Sequence, residues 1–203
     1  MRRHPEEHRP TEGTTRLETF CDGVFAIAIT LLVLGIEVPD TTEGLGRALA
    51  EQWYSYVAYG LSFLTIGIVW ANHHEMFRLV SKTTHTFLMI NVVLLMFVAL
   101  IPFPTQLVAR YFGDPSQRRL VVLIYGGTGI CLAIAFNAVW QYAVRRGLLF
   151  EDLDPHVIEK RTIRNYIGPV VYTFGTLLAI PSPEAGLAVF IMVALFYLIP
   201  TAH

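Results

Sequence analysis

Residues 23–36 contain no charged side chain, while Asp22 closes the run at one end and Glu37 at the other. A charge-free run with acidic edges is how a helix enters and leaves a bilayer, and the apolar stretch as a whole, 17–38, has the length needed to cross one. Within it the bulky residues Phe20, Val24, Ile27, Leu31, Leu34 and Val38 recur at alternating steps of four and three. That spacing lays them along one seam of a helix, fit to face a partner helix or a shared axis. The remaining faces carry Gly23, Ala26, Ala28, Thr30 and Gly35, which let neighbouring helices come close.

Five further apolar segments follow, at about 50–73, 87–108, 120–144, 166–180 and 185–200. The second opens on Trp53, Tyr54, Tyr56 and Tyr59 and closes at Trp70, matching the aromatic belts of a membrane's two surfaces. Pro102 and Pro104 are expected to kink or end the third. The fourth holds Gly126, Gly127 and Gly129; the fifth contains Pro169 and stops before a Pro-Ser-Pro turn at 181–183. With 54% hydrophobic and 15% charged residues and a mean hydropathy of +0.50, the 203-residue chain is too apolar for an ordinary soluble domain. The expectation is an all-α, multi-pass membrane protein with six transmembrane helices per subunit. Residues 1–15 read as a disordered cytoplasmic arm and 16–203 as one six-helix membrane domain. The first apolar run is too long, and too far from the start, for a cleaved signal peptide.

An even number of crossings puts both termini on one side. The loops on that side hold eleven of the 15 Lys and Arg, so by the positive-inside rule both termini are expected in the cytoplasm. A net charge of −1, with no strongly basic surface, argues against nucleic acid as a partner. Cys21 and Cys131 are far apart in apolar segments and suggest neither a disulfide framework nor a metal knuckle. No nucleotide loop, nucleophile elbow or zinc-protease pair occurs, so an enzyme reading has no footing and no cofactor is implied. The run Tyr125-Gly126-Gly127-Thr128-Gly129 lies inside a continuous apolar segment and reads as helix packing by small residues.

The residues that invite a chemical role stand at the head of the first helix. A carboxylate near membrane depth costs about 2.5–3.5 kcal/mol on insertion scales unless something compensates it, so Asp22 needs a partner. At 100° per residue it lies about 140° around the helix from Ile27 and about 160° from Phe20, away from the bulky seam. Asp22 therefore reads as a carboxylate held by donors on neighbouring helices more readily than as an ion site in a lumen. The donors fall on the second helix, where Trp70, His73, His74 and Phe77 share a face and Asn72 is close by. That helix runs antiparallel to the first, which brings the two groups to one depth. A metal site built from His73, His74, Glu75 and His85 is the weaker reading, because adjacent helix residues face different ways. Arg16 is awkwardly placed to pair with Asp22 on one helix and is expected to meet another helix or a lipid phosphate. The acidic loop over 147–161 reads as a solvated helix or turn.

The order Arg16-x-x-x-Phe20-Cys21-Asp22, with its apolar sequel, resembles the Arg-x-x-x-Phe-Ser-Asp signature of the transmembrane protein 175 family of potassium channels. The cluster around Trp70, Asn72, His73 and His74 is similar to the second-helix partner of that signature. The resemblance implies a single six-helix unit of the prokaryotic type, assembled as a homotetramer in the plasma membrane with the first helices around a central pore. It implies potassium ions as the permeant partner. It also implies a restriction made of apolar side chains: Ile27, five residues after Asp22, then Leu31 and Leu34, with Thr30 beside them. Four copies of Ile27 would form a narrow ring able to gate by dewetting. The departure is Cys21 where the family has Ser, a weaker donor that leaves the network around the signature looser. The alternative function is a proton-coupled carrier or pH sensor using Asp22, His73 and His74.

Overall fold

The computed structural model describes residues 12–41 and 43–197. Helix α1 spans Glu12–Leu31 and tightens into a 3-10 turn over Leu32–Gly35. It is followed by α2 (Leu45–Glu51), α3 (Trp53–Phe77), α4 (His85–Leu100), α5 (Pro102–Tyr111), α6 (Arg118–Arg145), α7 (Pro155–Leu178) and α8 (Pro183–Phe196). Local chemistry explains several of these boundaries. The side chains of Thr84, Asp154 and Ser182 accept from the backbone N–H groups of Phe87, His156 and Ala185, which caps α4, α7 and α8. Proline stands in the first turn of α5, α7 and α8, where its missing N–H costs nothing. The kink expected from Pro102 and Pro104 falls at Ile101. Pro102 cannot donate to the carbonyl of Val98, and the N–H of Ile101 bonds that carbonyl instead at 3.2 Å, separating α4 from α5.

The six spanning helices expected from the apolar segments are corrected to four. Gly13–Gly35, Trp53–Phe77, His85–Tyr111 and Arg118–Arg145 are long and apolar enough to cross a bilayer. The fifth segment is part of a longer helix: α7 begins at Pro155, and its first half carries Glu159, Lys160, Arg161 and Arg164. Only 166–178 remain apolar, about 20 Å of helix against a hydrocarbon core of about 30 Å. The sixth segment, α8, has 14 residues and falls short in the same way. Four crossings are, like six, an even number, so what changes is how many helices span and not the parity that puts both ends of the spanning set on one side. Residues 1–11 and 198–203 are outside the described residues, and with them most of the expected N-terminal arm.

Two clusters of buried side chains hold the bundle. The larger joins Leu17, Cys21, Phe25, Ala28 and Leu32 of the first helix to Ile66, Met76 and Phe77 of α3, Phe87, Leu94 and Val98 of α4, and Leu132, Val139 and Trp140 of α6. The second gathers Ala58 and Leu61, Val108 and Phe112, Val121, Val122 and Tyr125, and Leu187 and Phe190 around the far half of α3, α5, α6 and α8. Polar groups in this second region are paired: the Thr105 hydroxyl donates to Ser62 Oγ at 2.7 Å, and Ser62 Oγ lies 3.1 Å from the Tyr125 hydroxyl. Two of the three glycines of α6, Gly126 and Gly129, act as the small-residue reading expects, while Gly127 faces open space. A methyl group at Gly129 would collide with the Tyr172 ring and one at Gly126 with Thr176, so their absence lets α7 lie against α6.

Candidate functional site

The joint between α1 and α3 is a pair of rungs. Trp70 Nε1 donates to Asp22 Oδ1 at 2.9 Å, and one turn away His74 Nδ1 meets Glu18 Oε1 at 2.8 Å. Residues 18 and 22 are four apart on α1, and 74 and 70 are four apart on α3, so the rungs lie on matching faces of antiparallel helices. Both carboxylates are thereby bonded near the membrane boundary, which lowers the cost of having them there.

His73 faces the other way, into the core. Its ring is buried and stacks on Phe77 with centroids 4.4 Å apart, and the Phe25 ring lies 5.5 Å away. Asn91 Nδ2 donates to the carbonyl of Phe87 at 2.8 Å, which leaves Asn91 Oδ1 to accept from His73 Nε2 at 3.2 Å. That assigns the ring's proton to Nε2 and leaves Nδ1 buried without a partner. His73 thus fastens α3 to α4 while Trp70 and His74 fasten it to α1.

The remaining residues singled out in the sequence divide among several places. Cys21 is fully buried among core side chains and has a free thiol. Phe20 and Arg16 are exposed. Asn72 is turned from the first helix towards α7: its carbonyl accepts from Arg161 Nη2 at 3.0 Å and its Oδ1 from Arg164 Nη2 at 3.4 Å. Sequence reasoning missed Glu18, Phe25 and Asn91. Glu18 was findable as the carboxylate one turn before Asp22, and Asn91 as the lone amide in the apolar run of α4.

Ile27, Leu31 and Leu34 are 61%, 41% and 70% exposed on a helix whose other face is core. Thr30 is exposed too, its hydroxyl turned back onto the carbonyl of Ile27 at 2.9 Å. Leu34 falls in the 3-10 turn, where residues three apart eclipse, so it stands nearly in line with Leu31 along the axis. Gly35 ends this segment against α5, where a methyl group would meet the Gln106 side chain at 2.9 Å. Val24, earlier in the same seam, packs on the core, whereas from Ile27 to Leu34 the seam is left largely exposed by the described residues.

Residues 16–102 match the profile of the family described as endosomal/lysosomal potassium channel TMEM175. A potassium channel of Streptomyces collinus is 40% identical over 185 residues, covering 90% of this chain and 90% of that protein. One from Chamaesiphon minutus is 40% identical over 189 residues, covering 91% of this chain and 93% of that one. The crystal structure of a lysosomal potassium-selective channel TMEM175 homolog from Chamaesiphon minutus superposes with a TM-score of 0.85 at 37% identity, over 93% of this chain and 98% of that one.

Proposed function

This chain belongs to the TMEM175 family, and from that premise we propose that it conducts potassium across the cell membrane as a homotetramer, with Ile27, Leu31 and Leu34 of each first helix forming an apolar restriction. The observation that carries the reading is the uncovered seam. A helix whose one face is packed in the core and whose opposite face presents three aligned apolar layers has a second surface to place. Closed rotational symmetry puts identical seams around one axis, and the relatives named as potassium channels supply the permeant ion. In such a ring the side chains at Ile27 set the width, and a narrow apolar ring passes ions only when it wets.

The two rungs at Asp22 and Glu18 then serve the pore indirectly. They fix the rotation of α1 about its own axis, which decides whether Ile27 points to the centre. The proton-coupled alternative needs Asp22, His73 and His74 as exchanging groups, yet each already has a fastening contact, with Trp70, Asn91 and Glu18 respectively.

Recording from the purified protein in a planar bilayer tests the proposal. Unitary potassium currents are expected, and Ile27→Ala is expected to raise conductance and weaken discrimination against sodium. An absence of cation current, or an Ile27→Ala trace indistinguishable from the parent, overturns the pore assignment. Saturable, pH-driven flux without unitary steps supports the carrier instead.

A further inference from the structure

A second site lies away from the first helix, between α3, α6, α7 and α8. There a cavity of about 100 Å³ is walled mainly by small and apolar side chains, among them Ile68, Leu132, Ala133, Gly168, Pro169 and Val193. Its polar end is made by α7. Arg164, Asn165 and Gly168 line it, and Arg161, one turn before Asn165, shares their face of that helix just beyond the lining.

The donors at this end are under-used. Arg161 gives Nη2 to the carbonyl of Asn72, but its Nε is buried with no acceptor. Arg164 reaches Asn72 Oδ1 only at 3.4 Å, the long limit of a hydrogen bond. Asn165 Nδ2 is buried and unpartnered as well. Asn165 is held by its carbonyl: Pro169 has no N–H to return to it, and Asn137 Nδ2 donates there instead at 3.4 Å. Neither arginine has a carboxylate within ion-pair distance among the described residues; Glu75, whose charge reaches Arg161, is bonded to Arg78 at 3.4 Å. Burial and the like charge of Arg164 hold the Arg161 guanidinium down to about 10. Two adjacent cations and two orphaned donors, with no carboxylate in direct contact among the described residues, form a site short of an anion.

We propose that this cavity binds an anionic phospholipid of the surrounding bilayer, its phosphate on Arg161, Arg164 and Asn165 and part of an acyl chain among the apolar walls. The phosphate supplies the multiple acceptors and the negative charge that the buried donors lack. The level is right for a headgroup, since Asn72 is two residues from Trp70, which bonds Asp22 at the edge of the first membrane-length run. The apolar walls favour an amphiphile over a soluble phosphate, and the net positive charge favours an anionic lipid over a zwitterionic one.

Native mass spectrometry of the full chain, purified in detergent and offered phosphatidylglycerol, phosphatidylcholine, oleate or inorganic phosphate, tests this. Phosphatidylglycerol is expected to be retained about ten-fold over phosphatidylcholine, as one charge-assisted contact is worth. The double variant Arg161→Gln, Arg164→Gln is expected to lose that preference. Val193→Phe, which fills the apolar wall and leaves the arginines alone, is expected to reduce retention of phosphatidylglycerol and keeps the test decisive where the double variant fails to fold. Equal retention of the two phospholipids, or retention unchanged in both variants, overturns the proposal. So does displacement of phosphatidylglycerol by equimolar inorganic phosphate, which makes the site a phosphate pocket, or a preference for oleate, which makes it a carboxylate site. None of these readouts depends on whether the protein conducts.

Discussion

The first helix has two apolar faces that look alike in composition and differ in what they touch. Leu17, Cys21, Phe25, Ala28 and Leu32 are buried in a core shared with α3 and α4; Ile27, Leu31 and Leu34, on the other side, are left largely exposed by the described residues. A membrane does not penalise an uncovered leucine, so hydrophobicity alone cannot tell the two faces apart. Packing can: one face has shape-matched neighbours, and the other is regular, with layers repeated every three or four residues. The first face answers to stability and the second to whatever the helix surrounds. Variants on the two faces should therefore separate into two classes.

The largest expected effect is on the buried face. Phe25 is wedged against His73 and the core of the bundle, and Phe25→Ala leaves a void that lipid cannot reach. A loss of about 3 kcal/mol is expected from the cavity and the lost contacts. Ile27→Ala, two residues on, is expected to change the stability of the single subunit by no more than about 0.5 kcal/mol. Unfolding midpoints of the two variants in the same detergent check this. Equal losses would mean that the exposed seam is packed in the folded particle as tightly as the core, and the contrast between the faces would fail.

A smaller effect is expected at the edge between them. Trp70→Phe keeps the ring and removes the donor to Asp22, which is worth roughly 1–2 kcal/mol for a half-exposed bond to a charged acceptor. Because that rung sets the rotation of α1, the variant should also disturb conduction, which a merely stabilising contact would not. Unfolding and single-channel recordings made on the same preparation separate the two. Disturbed currents with modest destabilisation support a positioning role, and normal currents with the same destabilisation remove it.

How far these roles could be read from the chain depends on what each one needs. That Asp22 requires a donor follows from a carboxylate at the edge of a membrane-length apolar run, and Trp70 was legible as that donor because both sit at the ends of antiparallel helices. The second rung follows from the first, because Glu18 and His74 each stand four residues from it on antiparallel helices; what no spacing within a helix specifies is the rotation of α3 against its other neighbours. The same rotation turned Asn72 to α7 and His73 to Asn91. Six crossings were read where four hold because hydropathy divides α7 into a charged loop and a short apolar segment. The helix runs through both, started by the Asp154 cap and Pro155, a signal of local backbone chemistry that hydropathy does not register.

The smallest effect sharpens the buried face itself. Cys21 stands where the signature it resembles has serine, and the difference matters only if a hydroxyl there has something to bond. Its side chain lies fully within the core beside Leu17 and Phe25, while the rungs at Glu18 and Asp22 lie to either side of it on α1. A serine in that position can return its hydroxyl to the carbonyl one turn back, as Thr19 does to Thr15 at 2.9 Å, so it would not be stranded. Cys21→Ser is therefore expected to shift stability by less than about 1 kcal/mol, with the loss of a soft buried sulfur set against one local bond. Thermal unfolding checks it. A clear gain would mean that the hydroxyl finds a partner on α3 or α4, and that the polar fastening of the first helix extends through the face that is otherwise held by packing alone.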